Sequence, residues 1–238
     1  MINEWKAVKA AVEEALPFYE SISEKISFRL AGPLRRRAIQ QLGDSKRGWV
    51  LDSGVGPGVS SMMLIESGFQ KVVGLDPSKI LLASAKISLG DAFYPIVGVA
   101  EYLPIHDACV AGLITCFSLR DVRDLRLSIS EFGRVVEQNG HLEIVDVGKP
   151  DNQFFRLAIG IYINWLMPTV ARICIGRRSR KNPFRMIIPT FQRLPTNREL
   201  RQSVETGFGS SRLREFMFGG LIILEGVRQA VLREVGKE

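Results

Sequence analysis

Apolar residues along the chain fall into short runs, separated by turn residues and by stretches with helical spacing. Trp49, Val50 and Leu51 form a run that is apolar on both sides, which suits a strand covered on both faces. Residues 71–76, KVVGLD, repeat that pattern. Residues 94–99, 109–116 and 141–147 supply three further predicted strands. Between them, helical spacing predicts helices over 60–66, with Gly68 at its end, over 76–88 with Leu81, Leu82 and Ala85 inward, and over 122–137 with Leu125, Ile129, Phe132 and Val136 inward, closed by Asn139-Gly140. A helix over 198–206 ending at Gly207 and two strands, 212–217 and 221–228, joined at Gly219-Gly220, complete the pattern. Strands alternating with helices predict an α/β fold: a doubly wound, seven-stranded, mostly parallel sheet with an antiparallel C-terminal edge pair.

Two regions lie outside that alternation. Residues 3–15 read as a helix ended by Pro17. Residues 18–43 read as one or two further helices broken at Gly32-Pro33, with Phe18, Ile22, Ile26 and Leu30 every four residues. Residues 1–43 are therefore expected to form a helical lid on a domain spanning 44–230. The most apolar stretch is 154–175. Arg156 and Arg172 leave only 15 residues between them, and Asn164 and Pro168 interrupt the run, so it falls short of a clean membrane span. It is expected to belong to a helical insertion at about 151–195 that packs as core, walls an apolar substrate pocket or touches a bilayer.

The most informative chemistry lies in residues 48–60, GWVLDSGVGPGVS. Asp52 ends the apolar run, and Gly54, Gly56 and Gly58 follow at alternate positions. Such glycines let a backbone or a ligand approach where a Cβ would clash, but ordinary tight loops use them too. Asp76 tips the balance. It stands at the end of the next strand, 18 residues after Gly58, where doubly wound folds place an acid that accepts from a ribose diol. The chain has no GxxxxGKS or GxxxxGKT run, which argues against a P-loop nucleotidase, and the loop is GxGxG rather than GxGxxG. An adenosyl cofactor other than a dinucleotide fits best.

Composition narrows the setting. The chain has 238 residues and a formal charge of +7, from 32 Lys and Arg against 25 Asp and Glu. That charge favours anionic ligands, an anionic membrane surface or nucleic acid. Much of it sits in two clusters, Arg35 to Arg37 and Arg177 to Lys181, each readable as a solvated helix face. Three scattered cysteines and two histidines give neither a disulfide framework nor a zinc spacing, so no metal is expected. The N-terminus carries no secretory cleavage pattern, and the expected home is the cytoplasm.

These motifs resemble the class I S-adenosylmethionine-dependent methyltransferases, and among them the group that C-methylates the quinol ring in ubiquinone and menaquinone biosynthesis. VLDSGVGPG resembles the family's VLDxGxGxG, VVGLDPS its second motif, and GVAEYLP its GxAExLP segment. CFSLRDVRD resembles SFGLRNVxD, and VDVGKPDNQFFR resembles xEFSKPxNxxxR. FMFGGLIILEGVR resembles the terminal LTGGIxxLHxG. The chain departs from the family at Ile26-Ser27 and Arg36-Arg37, where Tyr-Asp and Trp-Arg pairs are usual, at Val55 for Cys, and at Asp121 for Asn.

The resemblance implies S-adenosylmethionine as cofactor, held by Asp52, Ser53, Gly54, Gly56, Gly58, Asp76, Pro77, Val99, Ala100 and Cys116. It implies methyl transfer to carbon on a prenylated quinol, with another apolar acceptor methylated at C, N or O, or a non-catalytic cofactor binder, as rivals. Such a reaction needs a base and a group that stabilises phenolate. Asp121 is the first candidate base and Asp146 the second. Arg120 either stabilises phenolate or pairs with Asp121 or Asp146 to hold the loop. His106 is a weaker candidate base in a surface turn, and His141 reads as structural. Expected partners are the apolar acceptor, a membrane surface touched peripherally and a second copy in a homodimer. Nucleic acid is not expected, because no aromatic-rich basic platform is present.

Overall fold

The computed structural model describes Glu13 and residues 19–175, 185 and 187–229. The expected helix over 3–15, apart from Glu13, and the basic cluster 177–181 lie outside the described residues.

Seven strands form one sheet: β1 (Val50–Ser53), β2 (Val72–Asp76), β3 (Phe93–Val97), β4 (Val110–Cys116), β5 (Val136–Val147), β6 (Gly209–Phe216) and β7 (Leu221–Arg228). Their order is β3-β2-β1-β4-β5-β7-β6. The first five are parallel, and β7 runs antiparallel to both β5 and β6. The expected antiparallel C-terminal pair thus forms one edge of the sheet, with β6 outermost and the reversed β7 inside it. Leu221 to Leu224 of β7 are buried on both faces, whereas β6 is only partly covered, so β7 takes the interior place.

The helices are α1 (Tyr19–Ile26), α2 (Ala31–Gln41), α3 (Val59–Glu66), α4 (Lys79–Leu89), α5 (Leu125–Val135), α6 (Gln153–Ile161), α7 (Met167–Ile175), α8 (Ile187–Arg193) and α9 (Asn197–Phe208). Leu34, Ala38 and Ile39 of α2 pack with Leu64 of α3, Leu82 and Ala85 of α4 and the sheet residues Val50, Val72 and Ile114. On the opposite face, Ile129 and Phe132 of α5 and Leu200 and Val204 of α9 pack on Leu51, Leu113, Leu142 and Ile144. A third cluster joins Ile22 and Ile26 of α1 to Ile163, Met167 and Ala171, and to Ile187 and Phe191 of α8. Side-chain caps fix several helix starts: Ser78 accepts from Leu81 N, Asp124 from Leu127 N, and Thr196 and Glu199 form a reciprocal capping box.

Three differences from the sequence pattern have a cause in the packing. The fifth strand begins at Val136, not His141. Its register to β4 jumps from Val110↔Val136 to Gly112↔His141, and Asn139 (φ +63) lies in the resulting irregularity. The Asn-Gly pair therefore makes a bulge within a strand rather than closing a helix. The helix expected to stop at Gly207 continues to Phe208. Gly207 lies against Ile129 of α5, and Gly209, at φ +89, takes the left-handed cap. Asn164 and Pro168 do not break the apolar run. A π-turn over Tyr162–Leu166 joins α6 to α7, and this wider winding accommodates the proline that follows it. By length and composition the 22 residues from Gln153 to Cys174 could cross a membrane.

One core group carries a pH dependence. Glu143 of β5 stands opposite Glu225 of β7, and Arg214 Nη2 approaches Glu225 Oε1 at 3.0 Å. Burial first, then the Glu225 carboxylate, push Glu143 up to about 9, against the pull of Arg214. The folded chain therefore holds a proton that the unfolded chain releases near 4.5. Stability falls as pH rises between these values. Glu143→Gln keeps the neutral shape without that proton uptake. It is expected to stabilise the fold at pH 8 by about 1–3 kcal/mol, with little gain at pH 5. Thermal melts at the two pH values check this, and equal shifts at both would contradict it.

Candidate functional site

The strand order reverses between β1 and β4, and ligands of doubly wound sheets bind at the carboxyl ends of strands at such a point. The loop after β1, the end of β2 and the loop after β4 meet there. Asp52 does not reach the opening. It is 1 % exposed and accepts from the Ser61 hydroxyl at 2.7 Å, tying β1 to α3 beneath the loop. Burial pushes it up to about 6, although the Ser61 hydrogen bond and Arg35 oppose the shift.

Above it, Gly54 N and Val55 N donate to Leu75 O, and Ser118 Oγ donates to Ser53 O at 2.9 Å. Gly54 has φ +75, and a Cβ there would stand 2.3 Å from Ser118 Oγ, so no side chain is tolerated. Asp76 accepts from Gly56 N at 2.9 Å and from Ser78 N at 2.8 Å. These two amides orient the carboxylate in the wall of the cleft.

The resulting cleft has a volume of about 430 Å³. Ser53, Gly54, Gly56, Asp76 and Pro77 line one side, and Val99, Ala100, Glu101 and Tyr102 another. Glu101 is buried and accepts from Arg123 N at 2.6 Å, which fixes the rim. Cys116 walls the floor. Burial raises its thiol to about 12, so it stays protonated. Gly58 is absent from the lining. It starts α3 at φ +91, and a Cβ there would stand 3.1 Å from the Ala85 and Leu89 side chains.

Asp121 lines the same cleft, a quarter of its side chain exposed. Burial pushes it up to about 6; Arg120 pulls it down, and Asp146 raises it again. Arg120 faces the other way, into a separate apolar cavity of about 60 Å³ with Ile26, Tyr162, Ile163 and Met167. Its Nη1 donates to Asp146 Oδ1 at 2.8 Å, and its Nη2 lies 3.7 Å from Asp121. Asp146 is 2 % exposed, also accepts from Val147 N, and lines neither cavity. Asp121, not Asp146, is the carboxylate that reaches the cleft. Of the histidines, His106 is exposed in its turn and lines neither cavity.

The residues fit an adenosyl sulfonium cofactor. The open space over Gly56, where a Cβ would meet nothing within 4 Å, admits a ligand against the backbone, and Asp76 is aimed for a diol. Comparison with known proteins decides the family. The model of the ubiE/COQ5 methyltransferase family matches residues 2–228. The chain belongs to this family. As a ubiE/COQ5 methyltransferase it is a SAM-dependent enzyme, and S-adenosylmethionine is its cofactor.

Among relatives, the demethylmenaquinone methyltransferase of Chlamydia caviae is 27 % identical over 210 residues, covering 87 % of this chain and 90 % of that one. The 2-phytyl-1,4-naphtoquinone methyltransferase of Trichormus variabilis is 26 % identical over 235 residues, covering 94 % and 99 %. A SAM-dependent methyltransferase of Thermotoga maritima shares the fold, with a TM-score of 0.63 at 15 % identity over 95 % of this chain and 100 % of that one.

The ubiE/COQ5 methyltransferase site contains residues that the motifs did not single out. Ser118 and Thr115, 2.8 Å apart, brace the glycine loop. Ser23 and Arg35 wall the cleft from α1 and α2. Arg35 had a signal in the sequence: with Ala31, Ala38 and Leu42 it falls on the apolar side of α2, whereas Arg36 and Arg37 fall outside it.

Proposed function

We propose that this methyltransferase transfers a methyl group to a ring carbon of a prenylated quinol. The observation that carries the reading is the placement of two consecutive residues: Asp121 opens on the cofactor cleft and Arg120 on the apolar cavity. Ser23 and Phe117 line both spaces and so form their common wall. A ring at this junction would meet a carboxylate, a fixed cation and an apolar exit together. The relatives' names point to the same acceptor class.

Bound S-adenosylmethionine supplies an electrophilic methyl group. Asp121 takes the phenolic proton as the ring carbon gains the methyl group, which requires its ionised form. The hydrogen left on that carbon then departs as a proton, and the oxygen regains its own, so that the ring is aromatic again. Arg120, held by Asp146 and charged at any physiological pH, stabilises the oxygen that becomes phenolate. The apolar walls exclude water from the reacting carbon. The N-terminal helices, which contribute Ser23 and Arg35, act as the lid.

The 60 Å³ cavity holds only the first carbons of a prenyl chain. Outside it, Phe154, Leu157, Ile161 and Trp165 recur every three or four residues along α6 and the π-turn, each more than half exposed. Arg172 and Arg185 line a groove with Trp165 and Ile173. This face suits peripheral contact of a cytoplasmic enzyme with an anionic membrane, where such acceptors dissolve.

The test supplies labelled S-adenosylmethionine and a panel of prenylated and unprenylated quinols, with acceptors dissolved in anionic vesicles, and locates the added methyl by mass spectrometry. Label on a ring carbon of the prenylated quinol, with the protein sedimenting with the vesicles, is the expected result. Label on oxygen or nitrogen, or equal use of unprenylated rings, would contradict the reading.

A further inference from the structure

Thr190 of α8 lines neither the cleft nor the apolar cavity, and it is 3 % exposed. Its helix nevertheless packs on the turn Leu119–Asp121, and its hydroxyl hydrogen-bonds the Asp121 carboxylate. The same oxygen, Thr190 Oγ1, lies 3.1 Å from Ile187 O, one helical turn back. A hydroxyl carries one proton and two lone pairs. It can donate to the carboxylate or to the carbonyl, and it can accept from a carboxyl group that has become protonated.

The charged groups that act on Asp121 are Arg120 beside it, Asp146 on β5 and Arg193 on α8. The two arginines favour the ionised carboxylate, and Asp146 opposes it. Arg123 and Asp124 follow along the cleft. A guanidinium only donates, so neither Arg120 nor Arg193 can accept from Asp121 once it holds a proton. The Thr190 hydroxyl can.

We infer that Thr190 is a positioning residue for the base: its hydroxyl donates to ionised Asp121 and, once Asp121 has taken the quinol's proton, accepts from it while turning its own proton to Ile187 O. Thr190 loses no proton; only the direction of its O–H bond changes. The carboxyl group keeps a hydrogen bond in both states, so the transfer leaves no enclosed polar group without a partner. The inference rests on Asp121 as the base and adds the residue that holds it.

The experiment records pH–rate profiles of the full-length protein and of three variants, with labelled S-adenosylmethionine and a prenylated quinol. Thr190→Val removes the hydroxyl and keeps the shape. Thr190→Ser keeps the hydroxyl and removes the methyl group, and Thr190→Ala removes both. Circular dichroism and calorimetric binding of S-adenosylhomocysteine, expected to be unchanged, check the fold and the cofactor site. Losing the hydroxyl removes a hydrogen bond that favours the ionised base, so the acid limb moves to higher pH. In Thr190→Val and Thr190→Ala the limb is expected to rise by about 0.5–1 pH unit and the plateau rate to fall about tenfold. Thr190→Ser is expected to keep the wild-type limb and most of the rate. The carbon-13 resonance of the Asp121 carboxyl group, titrated in the same proteins, reads the same shift without turnover.

An unmoved Asp121 titration in Thr190→Val or Thr190→Ala would overturn the inference. So would a Thr190→Ser variant as impaired as Thr190→Ala, because the loss would then follow the methyl group and its packing. The Ser and Ala variants differ only by the hydroxyl oxygen and decide the matter if Thr190→Val does not fold. A moved titration with an unmoved rate profile would instead overturn Asp121 as the base.

Discussion

Asp76→Ala is expected to raise the dissociation constant for S-adenosylhomocysteine about 100-fold, while leaving the chain folded. Hydrogen bonds to a charged acceptor contribute about 1.5–3 kcal/mol each, and a ribose diol offers two donors to this carboxylate. The substitution also frees Gly56 N and Ser78 N, which Asp76 now holds at 2.9 and 2.8 Å, so the loop loses a restraint before any ligand arrives. Both effects weaken binding. The sheet is not at risk, because the β2 backbone pairing and the apolar residues Val72, Val73 and Leu75 are untouched. Calorimetric titration of the variant, with its melting curve as a control, measures the change. A loss of threefold or less in a folded variant would remove Asp76 as the principal ribose ligand.

The second large effect is on chemistry rather than binding. Asp121→Asn is expected to lower kcat by about 10²–10⁴ and leave S-adenosylhomocysteine affinity close to wild type. The carboxylate, raised to about 6 chiefly by burial, is protonated below that pH and ionised above it. A base must be ionised, so wild-type turnover should fall as pH drops through about 6. The variant has no such group, and its residual rate should lack that acid limb. The pH–rate profile separates a base from a residue that only positions Arg120: loss of rate with an unchanged profile would mean positioning. Near-wild-type turnover would remove Asp121 from the chemistry.

The parts of the site that the sequence revealed are those governed by local rules. A run apolar on both faces means a central strand, alternate glycines suggest close approach of backbone, and an acid at the next strand end suggests a ribose partner. Gly54, Gly56 and Asp76 are singled out in this way, and all three line the cleft. The parts it hid depend on direction and on distant neighbours. Asp52 sits in the most informative motif, yet the pleat turns it down onto Ser61. Asp146 reads as a candidate base until Arg120 is seen to hold it away from both cavities.

Arg35 was obscured by its neighbours. Three consecutive arginines suggest a solvated surface, but a helix turns about 100° per residue, so they cannot share one face. One is buried and the next two are exposed. The helix boundaries failed for a related reason. Gly207 resembles a stop signal, but α5 packs against it, and the cap falls at Gly209 instead. Pro168 resembles a breaker, but the preceding π-turn absorbs it. Tertiary packing decides such cases, and it is not written in any short window of sequence.

The most direct test is a crystal structure of the protein with S-adenosylhomocysteine. The account predicts density in the cleft at the β1–β4 switch, with both ribose hydroxyls on Asp76, the amino-acid end over Gly54 to Gly56, and the sulfur directed toward Asp121. A cleft that stays closed by its own side chains at saturating ligand, or a nucleoside lying away from Asp76, would contradict it.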